Sequence, residues 1–372
     1  MGSPIGALLG RALPLLLLSI DVVVGKKAAP LPPPAPPPPS MFWSAYVAAS
    51  PVILAMLLGW ACVTLLTYLI PLVLANVRGV QNLKKKYGAE WSLVTGASSG
   101  IGKSLAEALA AQELNVVLVA LDDNLLKETF EELKKKYPKV EFRSVGVDLT
   151  RADGAYMTPI EQATRDVHVS ILFLNAGFMV TGFFHEVNIN KHMANLQCNA
   201  VAGCRVAHHF LPLMYKQKRP GLICFTSSSA AFIPSPFTSL YSATKAFVSR
   251  FASSLAAEAG PQGIDVMAVH PSPVRSNFLK GTTNFDIIND FYKFSTGPEA
   301  VPPQIFRKVG RGQVLADLGG MSVMMRLVTK LIDDNFFATC FSKFATLLPD
   351  YQRLAGEAGL TAHIKQPRAK AH

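Results

Sequence analysis

Tyr241 and Lys245 stand four residues apart in the run Tyr241-Ser242-Ala243-Thr244-Lys245. On an α-helix, positions i and i+4 share a face, so a phenol and an ammonium would be neighbours there. A lone tyrosine, with a pKa of about 10, is a poor base near neutrality. A lysine cation beside it favours the phenolate and lowers that value. Such a pair could pass a proton to or from an oxygen atom, and the lysine could also hold a ribose. Thirteen residues before Tyr241 lies Ser228, flanked by Ser227 and Ser229, just past the apolar run Gly221–Ser227. The chain holds nine tyrosines, so a Tyr-x-x-x-Lys match alone carries little weight and the elements around it must decide.

A second constellation begins at Thr95-Gly96-Ala97-Ser98-Ser99-Gly100-Ile101-Gly102. It follows the apolar run Trp91–Val94 and opens a helical pattern from Ile101 to Gln112. Gly96 allows a tight turn, Gly100 lets a pyrophosphate approach the backbone, and Gly102 lets helix and strand pack closely. The helix N-terminus offers free N–H groups and partial positive charge to phosphates. The spacing is TGxxxGxG, not GxGxxG. Asp148, at a strand end, can meet an adenine ring. Asn175-Ala176-Gly177 ends another strand at the carboxyl edge, where doubly wound sheets bind ligands.

The elements that must carry these residues alternate. Runs rich in β-branched and apolar residues, over 115–120, 140–148, 169–175, 221–227 and 264–270, read as strands. Helical patterns lie between them at 124–136, 190–218 and 240–259. Strands buried on both faces and alternating with helices predict a single Rossmann-like α/β domain. Its doubly wound parallel sheet would have helices on both faces.

With Ser228, Tyr241 and Lys245 in that order behind a glycine-rich turn, the stretch from Trp91 to about Phe278 resembles the short-chain dehydrogenase/reductase family. Thr95 to Gly102, Asn175 to Gly177 and Asn199 fall in the family's order. The resemblance implies that Tyr241 gives or takes the proton and that Ser228 orients and polarises a substrate carbonyl. Lys245 would tune the tyrosine and bind ribose, and Asn199 would hold a water in the proton relay. It assigns the cofactor to Thr95, Gly96, Ser98, Ser99, Gly100, Ile101 and Gly102 and to Asp148, Asn175, Ala176 and Gly177. Tyr241, Lys245, Pro271, Val274 and Ser276 complete that set. No metal is implied. Lys85-Lys86-Tyr87-Gly88, Ile233-Pro234-Ser235-Pro236 and Tyr241 to Phe247 are similar to a narrower branch. It comprises the microsomal very-long-chain 3-oxoacyl-CoA reductases and type 12 17β-hydroxysteroid dehydrogenases. Two positions depart from the family. At the end of the second strand Ala120-Leu121-Asp122 lacks both the ribose carboxylate and the basic residue, which favours NADP(H) and still admits NAD(H). Pro271-Ser272 stands where Pro-Gly is usual.

Ahead of this domain the composition changes. Half of the 372 residues are hydrophobic and 16% are charged, against about 25% charged in a soluble chain. Residues 28–77 hold no charged side chain. Residues 1–40 form an apolar, proline-rich extension. Residues 41–77 have the length and apolarity of a transmembrane helix, 78–90 a basic linker, 91–318 the Rossmann domain and 319–372 an apolar C-terminal segment with a basic tail. Arg78 and Lys84 to Lys86 follow the apolar run closely, so the positive-inside rule puts the catalytic domain on the cytosolic side of a single-pass anchor. The tail Arg368-Ala369-Lys370-Ala371-His372 resembles an endoplasmic-reticulum retrieval signal, though an arbitrary basic tail reads the same way. The net charge of +11 is scattered and lacks any nucleic-acid-binding signature, so no nucleic-acid partner is expected. Five cysteines without a CxxC pair suit a reducing compartment.

Phe278, Phe285, Phe291, Tyr292 and Phe294 are candidate lid residues. Met321, Met324, Met325 and Leu331 belong to an apolar helix that serves either ordinary packing or a lipophilic channel. The expected partners are a lipophilic small molecule and membrane lipid, and a homodimer is compatible with the fold. The leading expectation is a membrane-anchored NAD(P)(H)-dependent reductase of a 3-oxoacyl-type lipid ketone in the endoplasmic reticulum. The alternatives are a hydroxysteroid or retinoid dehydrogenase and a dinucleotide-binding membrane protein without turnover.

Overall fold

The computed structural model describes residues 40–279 and 285–358. The proline-rich extension before Ser40 and the basic tail lie outside them. The chain divides into two units, Met1–Leu66 and Thr67–His372. In the first, the described residues belong to one helix, α1 (Ser40–Val77), which runs on into the second unit. Its Pro51–Val77 portion has a mean hydropathy of 2.2 and is a candidate transmembrane span. Val52, Met56 and Trp60 on this helix are 59%, 71% and 76% exposed.

The second unit begins with α2 (Leu83–Tyr87), capped at its start by Asn82 and ended by Gly88 at φ +57°. There follow β1 (Trp91–Thr95), α3 (Gly100–Ala110), β2 (Asn115–Ala120), α4 (Asn124–Lys136), β3 (Phe142–Gly146), α5 (Met157–Thr164) and β4 (Val169–Leu174). Next come α6 (Ile189–Leu196), a π-helical turn (Gln197–Val201), α7 (Ala202–Gln217), β5 (Gly221–Thr226), α8 (Ser239–Ala259) and β6 (Ile264–Pro271). The chain continues through α9 (Asp286–Tyr292), α10 (Val301–Lys308), β7 (Leu315–Leu318), α11 (Gly320–Leu331), α12 (Asp334–Phe344) and α13 (Pro349–Glu357).

The seven strands form one sheet in the order β3-β2-β1-β4-β5-β6-β7, with every pairing parallel. Alternation along the strands divides the core. Val94, Ile171 and Phe173 pack with Leu105 and Leu109 of α3 and with Ile305 and Phe306 of α10. Leu93 and Leu172 pack on the other face with Val206 and Phe210 of α7 and Val248 of α8. That period of two explains why both faces of the sheet carry helices. The expected doubly wound fold is present. The long helix expected over 190–218 is interrupted by the π turn, and β7 was not foreseen because its four residues, Leu-Ala-Asp-Leu, are too few to show a period.

Candidate active site

The carboxyl ends of β1 to β6 open onto a cavity of about 790 Å³. At its phosphate end the turn after β1 has Gly96 at φ +66° and Gly100 at φ +55°, conformations that favour glycine. A Cβ on Gly96 would lie 2.9 Å from the Cα of Ala176, and one on Gly102 would lie 2.0 Å from the carbonyl oxygen of Gly96. Gly102 is thus the close-packing glycine, while Gly96, Ser98, Ser99, Gly100 and Ile101 face the cavity. Thr95 faces inward instead. Its hydroxyl accepts from the backbone N–H groups of Asn175 and Ala176 at 2.9 and 3.0 Å, joining the ends of β1 and β4. The Asn175 amide donates to the Thr95 carbonyl at 3.3 Å, so its polar group is structural, although the residue borders the cavity with Ala176 and Gly177. Asp148 also borders it and accepts from the backbone and hydroxyl of Thr150 at 2.8 and 2.7 Å. Pro271, Val274 and Ser276 also line the cavity, and a Cβ added to Gly100 would lie 3.1 Å from the Ser276 Cβ.

The candidate catalytic residues Ser228, Tyr241 and Lys245 border the same cavity. Ser228 follows β5 and accepts a hydrogen bond from the N–H of Ala230 at 3.1 Å. Its hydroxyl is close enough to the Tyr241 phenol to lower the phenol's pKa. Tyr241 is 7% exposed and lies in the first turns of α8, its ring 5.7 Å from that of Phe278. Burial pushes the phenol up to about 12, against the lowering effect of Ser228. The lowering expected from Lys245 is not among the influences on the phenol. Lys245, one helical turn on, is 3% exposed and its Nζ lies 5.6 Å from the Tyr241 ring centroid. That Nζ donates to the carbonyl of Thr226 at 2.8 Å, and burial pushes it down to about 8.

Asn199 sits in the π turn, a distortion that recurs at functional sites. Its amide brackets Phe178, accepting from the N–H at 3.0 Å and donating to the carbonyl at 2.9 Å. It borders a small recess beside the main cavity, together with Thr95 and Thr226. The Thr226 hydroxyl is buried without a hydrogen-bond partner and lines both spaces. A positive-φ glycine turn, a row of strand ends, a buried ammonium and an unpartnered hydroxyl together fit a dinucleotide with its nicotinamide end at Tyr241.

At the adenosine end Ala120 and Leu121 line the cavity. Asp122 packs against Gly146 of β3, where an added Cβ would meet its Cβ at 2.6 Å. Asp123 caps α4 through the N–H of Leu126 at 2.9 Å. Lys103, the cation that follows the glycine-rich turn, is paired with Glu132 at 2.5 Å. Ser272, in place of the usual glycine, accepts from the N–H of Ser322 at 3.0 Å and so holds the start of α11.

The substrate end is apolar. Ile233, Ile288, Tyr292, Met321, Met325 and Phe341 border it. The Tyr292 hydroxyl donates to the Val274 carbonyl at 2.6 Å, which fixes α9 over the nicotinamide wall. Phe285 stacks on Phe237 with ring centroids 5.2 Å apart, and Phe237 holds φ +64°, a strained conformation for a bulky residue. Met321, Met325 and Phe341 come from the segment that periodicity alone left open between packing and a channel. Residues around Thr226 escaped notice because Lys245 uses a backbone carbonyl there, which any residue type supplies.

A family model described as short chain dehydrogenase matches residues 90–286. The chain is similar to very-long-chain 3-oxoacyl-CoA reductases of Caenorhabditis briggsae (30% identical over 232 residues, 60% of this chain and 73% of the relative) and Homo sapiens (34% over 197 residues, 51% and 61%). A very-long-chain 3-oxoacyl-CoA reductase-like protein of Arabidopsis thaliana is 29% identical over 258 residues, 68% of this chain and 80% of the relative. The chain thus spans 61% to 80% of the length of these three relatives. Among solved structures, a 7beta-hydroxysteroid dehydrogenase shares the fold with a TM-score of 0.61 at 24% identity, covering 69% of this chain and 98% of that one. A short-chain dehydrogenase from Sphingobium yanoikuyae in complex with NADPH has a TM-score of 0.54 at 24% identity, covering 76% and 98%. The chain belongs to the short-chain dehydrogenase family and is an NAD(P)(H)-dependent oxidoreductase acting on a CH–OH group.

Proposed function

We propose that this protein is a membrane-anchored reductase of long-chain 3-oxoacyl thioesters that prefers NADPH and works on the cytosolic face of the endoplasmic reticulum. The observation that carries this reading is the continuity of the cavity. Ser228 and Tyr241 border the same cavity as the apolar Ile233, Ile288, Met321, Met325 and Phe341, which suits an acyl chain. The names of the relatives support the substrate class, and α1, with its following basic residues, supports the anchor.

In this reading the Ser228 hydroxyl and the Tyr241 phenol both donate to the 3-oxo oxygen. The two hydrogen bonds polarise the carbonyl and fix which face is presented. A reduced nicotinamide, held by the glycine-rich turn and Lys245, would contribute a hydride for the carbonyl carbon. As negative charge grows on the oxygen, the phenol releases its proton to it, and the product leaves as the 3-hydroxy compound. The resulting phenolate lies near Lys245, whose ammonium offsets the new charge. Burial keeps the phenol protonated at neutral pH, so before the step it is a donor, which suits reduction.

Purified full-length protein, assayed by nicotinamide absorbance, tests the reading. A long-chain 3-oxoacyl-CoA should be reduced with a higher kcat/KM than a short-chain one or a steroid ketone. Equal or better turnover of the steroid ketone would overturn the substrate assignment and leave the oxidoreductase in place.

A further inference from the structure

Behind the Lys245 side of the cavity lies a run of buried polar groups that the carbonyl chemistry does not use. His270 of β6 has no exposed surface. Its Nδ1 lies 3.0 Å from Oδ1 of Asp317 on β7, and its Nε2 lies 2.9 Å from Oγ of Ser249 on α8. An ionised carboxylate only accepts, so Nδ1 carries a proton. Burial lowers the ring's pKa despite the raising effect of Asp317, which keeps the ring neutral and leaves Nε2 an acceptor, so the one Ser249 proton is divided between Nε2 and the Lys245 carbonyl.

Ser249 Oγ lies 2.9 Å from the carbonyl of Lys245 and 2.8 Å from Oγ of Ser227. Ser227 Oγ donates to the same Lys245 carbonyl at 2.8 Å. The run thus ends on the backbone of one reacting residue and on the neighbour of another. At its other end Asp317, 3% exposed, accepts from Arg326 of α11 through Nε at 3.1 Å and Nη2 at 3.2 Å. Burial pushes the Asp317 carboxyl up, but hydrogen bonds from His270 and Arg326 outweigh it and hold the group below the usual range. The Tyr68 hydroxyl of α1 donates to Asp317 Oδ2 at 2.8 Å. Arg326 also lies 3.6 Å from the ring centroid of Phe232, four residues after Ser228. Lys308 donates to the Asp317 carbonyl at 2.5 Å. Apolar packing would join these elements at less desolvation cost, but a satisfied polar network admits fewer geometries.

We propose that Tyr68, Asp317, His270 and Ser249 are positioning residues for the oxidoreductase reaction, tying the last turns of α1 to the backbone that carries Ser228 and Lys245. The end of the apolar helix is then a working part of the catalytic domain as well as part of an anchor. Through Arg326 the same chain holds α11, which brings Met321 and Met325 to the substrate end.

The test uses the full chain in detergent and the variants Tyr68→Phe, Ser249→Ala, His270→Gln and His270→Leu, with the double variant Tyr68→Phe/Ser249→Ala. Each is compared with the parent on a long-chain 3-oxoacyl-CoA, or on a steroid ketone if the parent turns over only that, so a wrong substrate reading does not touch the result. Tyr68→Phe and Ser249→Ala should each lower kcat by about threefold to tenfold, the rate equivalent of one hydrogen bond. The KM for the nicotinamide cofactor should stay within about twofold of the parent's. The double variant should fall no further than the lower single variant, because one chain has been cut twice. His270→Gln should recover part of what His270→Leu loses. Unchanged kcat per folded molecule in Tyr68→Phe or Ser249→Ala, or losses that multiply in the double variant, would overturn the proposal. Should His270→Leu fail to fold, the two single-oxygen deletions still decide.

Discussion

Ser227 and Ser228 are adjacent in the chain but serve different sides of β5: the Ser227 hydroxyl donates to the Lys245 carbonyl at 2.8 Å, whereas the Ser228 hydroxyl borders the cavity and lowers the pKa of the Tyr241 phenol. Spacing alone left the choice between them open by one residue. The two substitutions should therefore separate. Ser228→Ala should lower kcat by about a hundredfold, as loss of an oxyanion donor does, with little change in thermal stability. Ser227→Ala removes a buried hydroxyl from a helix contact, so it should lower the thermal midpoint and keep more activity per folded molecule. Parallel thermal melts and steady-state rates check both, and a larger kcat loss in Ser227→Ala would reverse the assignment.

Tyr241→Phe should reduce turnover by about 10²–10⁴-fold, since it removes the transferable proton. Cofactor binding should stay close to the parent's, because the ring remains and only the hydroxyl is lost. The pH profile carries a sign. A phenol pushed up to about 12 is protonated throughout the neutral range, so ketone reduction should stay level from about pH 6 to 7.5. Alcohol oxidation needs the phenolate, whose population grows with pH, so its rate should climb over that interval. The climb should flatten above about pH 8, where the buried Lys245 ammonium begins to lose its charge. Level oxidation beside rising reduction would contradict the proton assignment.

Much of the site was legible because its residues work through local rules. Gly96 and Gly100 need positive φ, Tyr241 and Lys245 need only one helical turn, and strand ends follow from β-branched runs. What the sequence hid depends on contacts between distant segments. Tyr68 and Asp317 are 249 residues apart, and neither belongs to a spaced motif. The π turn that sets Asn199 against Phe178 has no compositional mark, since Gln-Cys-Asn-Ala-Val continues a helical pattern. Drawing a boundary after 318 also separated β7 from α11, although Met321 and Met325 help to form the cavity.

Truncation should distinguish anchor from docked helix. Removing residues 1–66 leaves Tyr68 on Asp317 and the Pro71 carbonyl on Gln313 Nε2 at 2.7 Å. The eleven apolar residues that remain before Arg78 are too few to cross a bilayer core of about 30 Å. That chain should pass to the soluble fraction with its thermal midpoint largely kept. Removing residues 1–77 should also release it, but with a lower midpoint, because Asp317 loses Tyr68 and Gln313 loses the Pro71 carbonyl. Fractionation with detergent-free washing and thermal melts on both chains check this. Continued membrane retention of the 1–66 deletion would mean that the exposed apolar residues of α11 and α12, such as Leu331 and Phe336, bind lipid themselves.

Cofactor choice should turn on Leu121. The extra phosphate of NADPH brings negative charge, which a site must accept by omitting a carboxylate and preferably by adding a cation. Asp122 packs on Gly146, and Asp123 borders the cavity but spends Oδ1 on the cap of α4, so the first condition is met only in part. Lys103 is held by Glu132, so the second is met only by backbone N–H groups. The expected result is a modest preference for NADPH over NADH in equilibrium titration. Leu121 lines the cavity and is 56% exposed, leaving room for a longer side chain. Leu121→Arg should therefore tighten NADPH, through a charge-assisted hydrogen bond of about 1.5 kcal/mol at such an exposed position, or about tenfold in Kd. NADH should gain little. If NADH binds the unaltered protein more tightly, Asp122 or Asp123 must turn to the ribose, and Asp122→Ala and Asp123→Ala would show which one does.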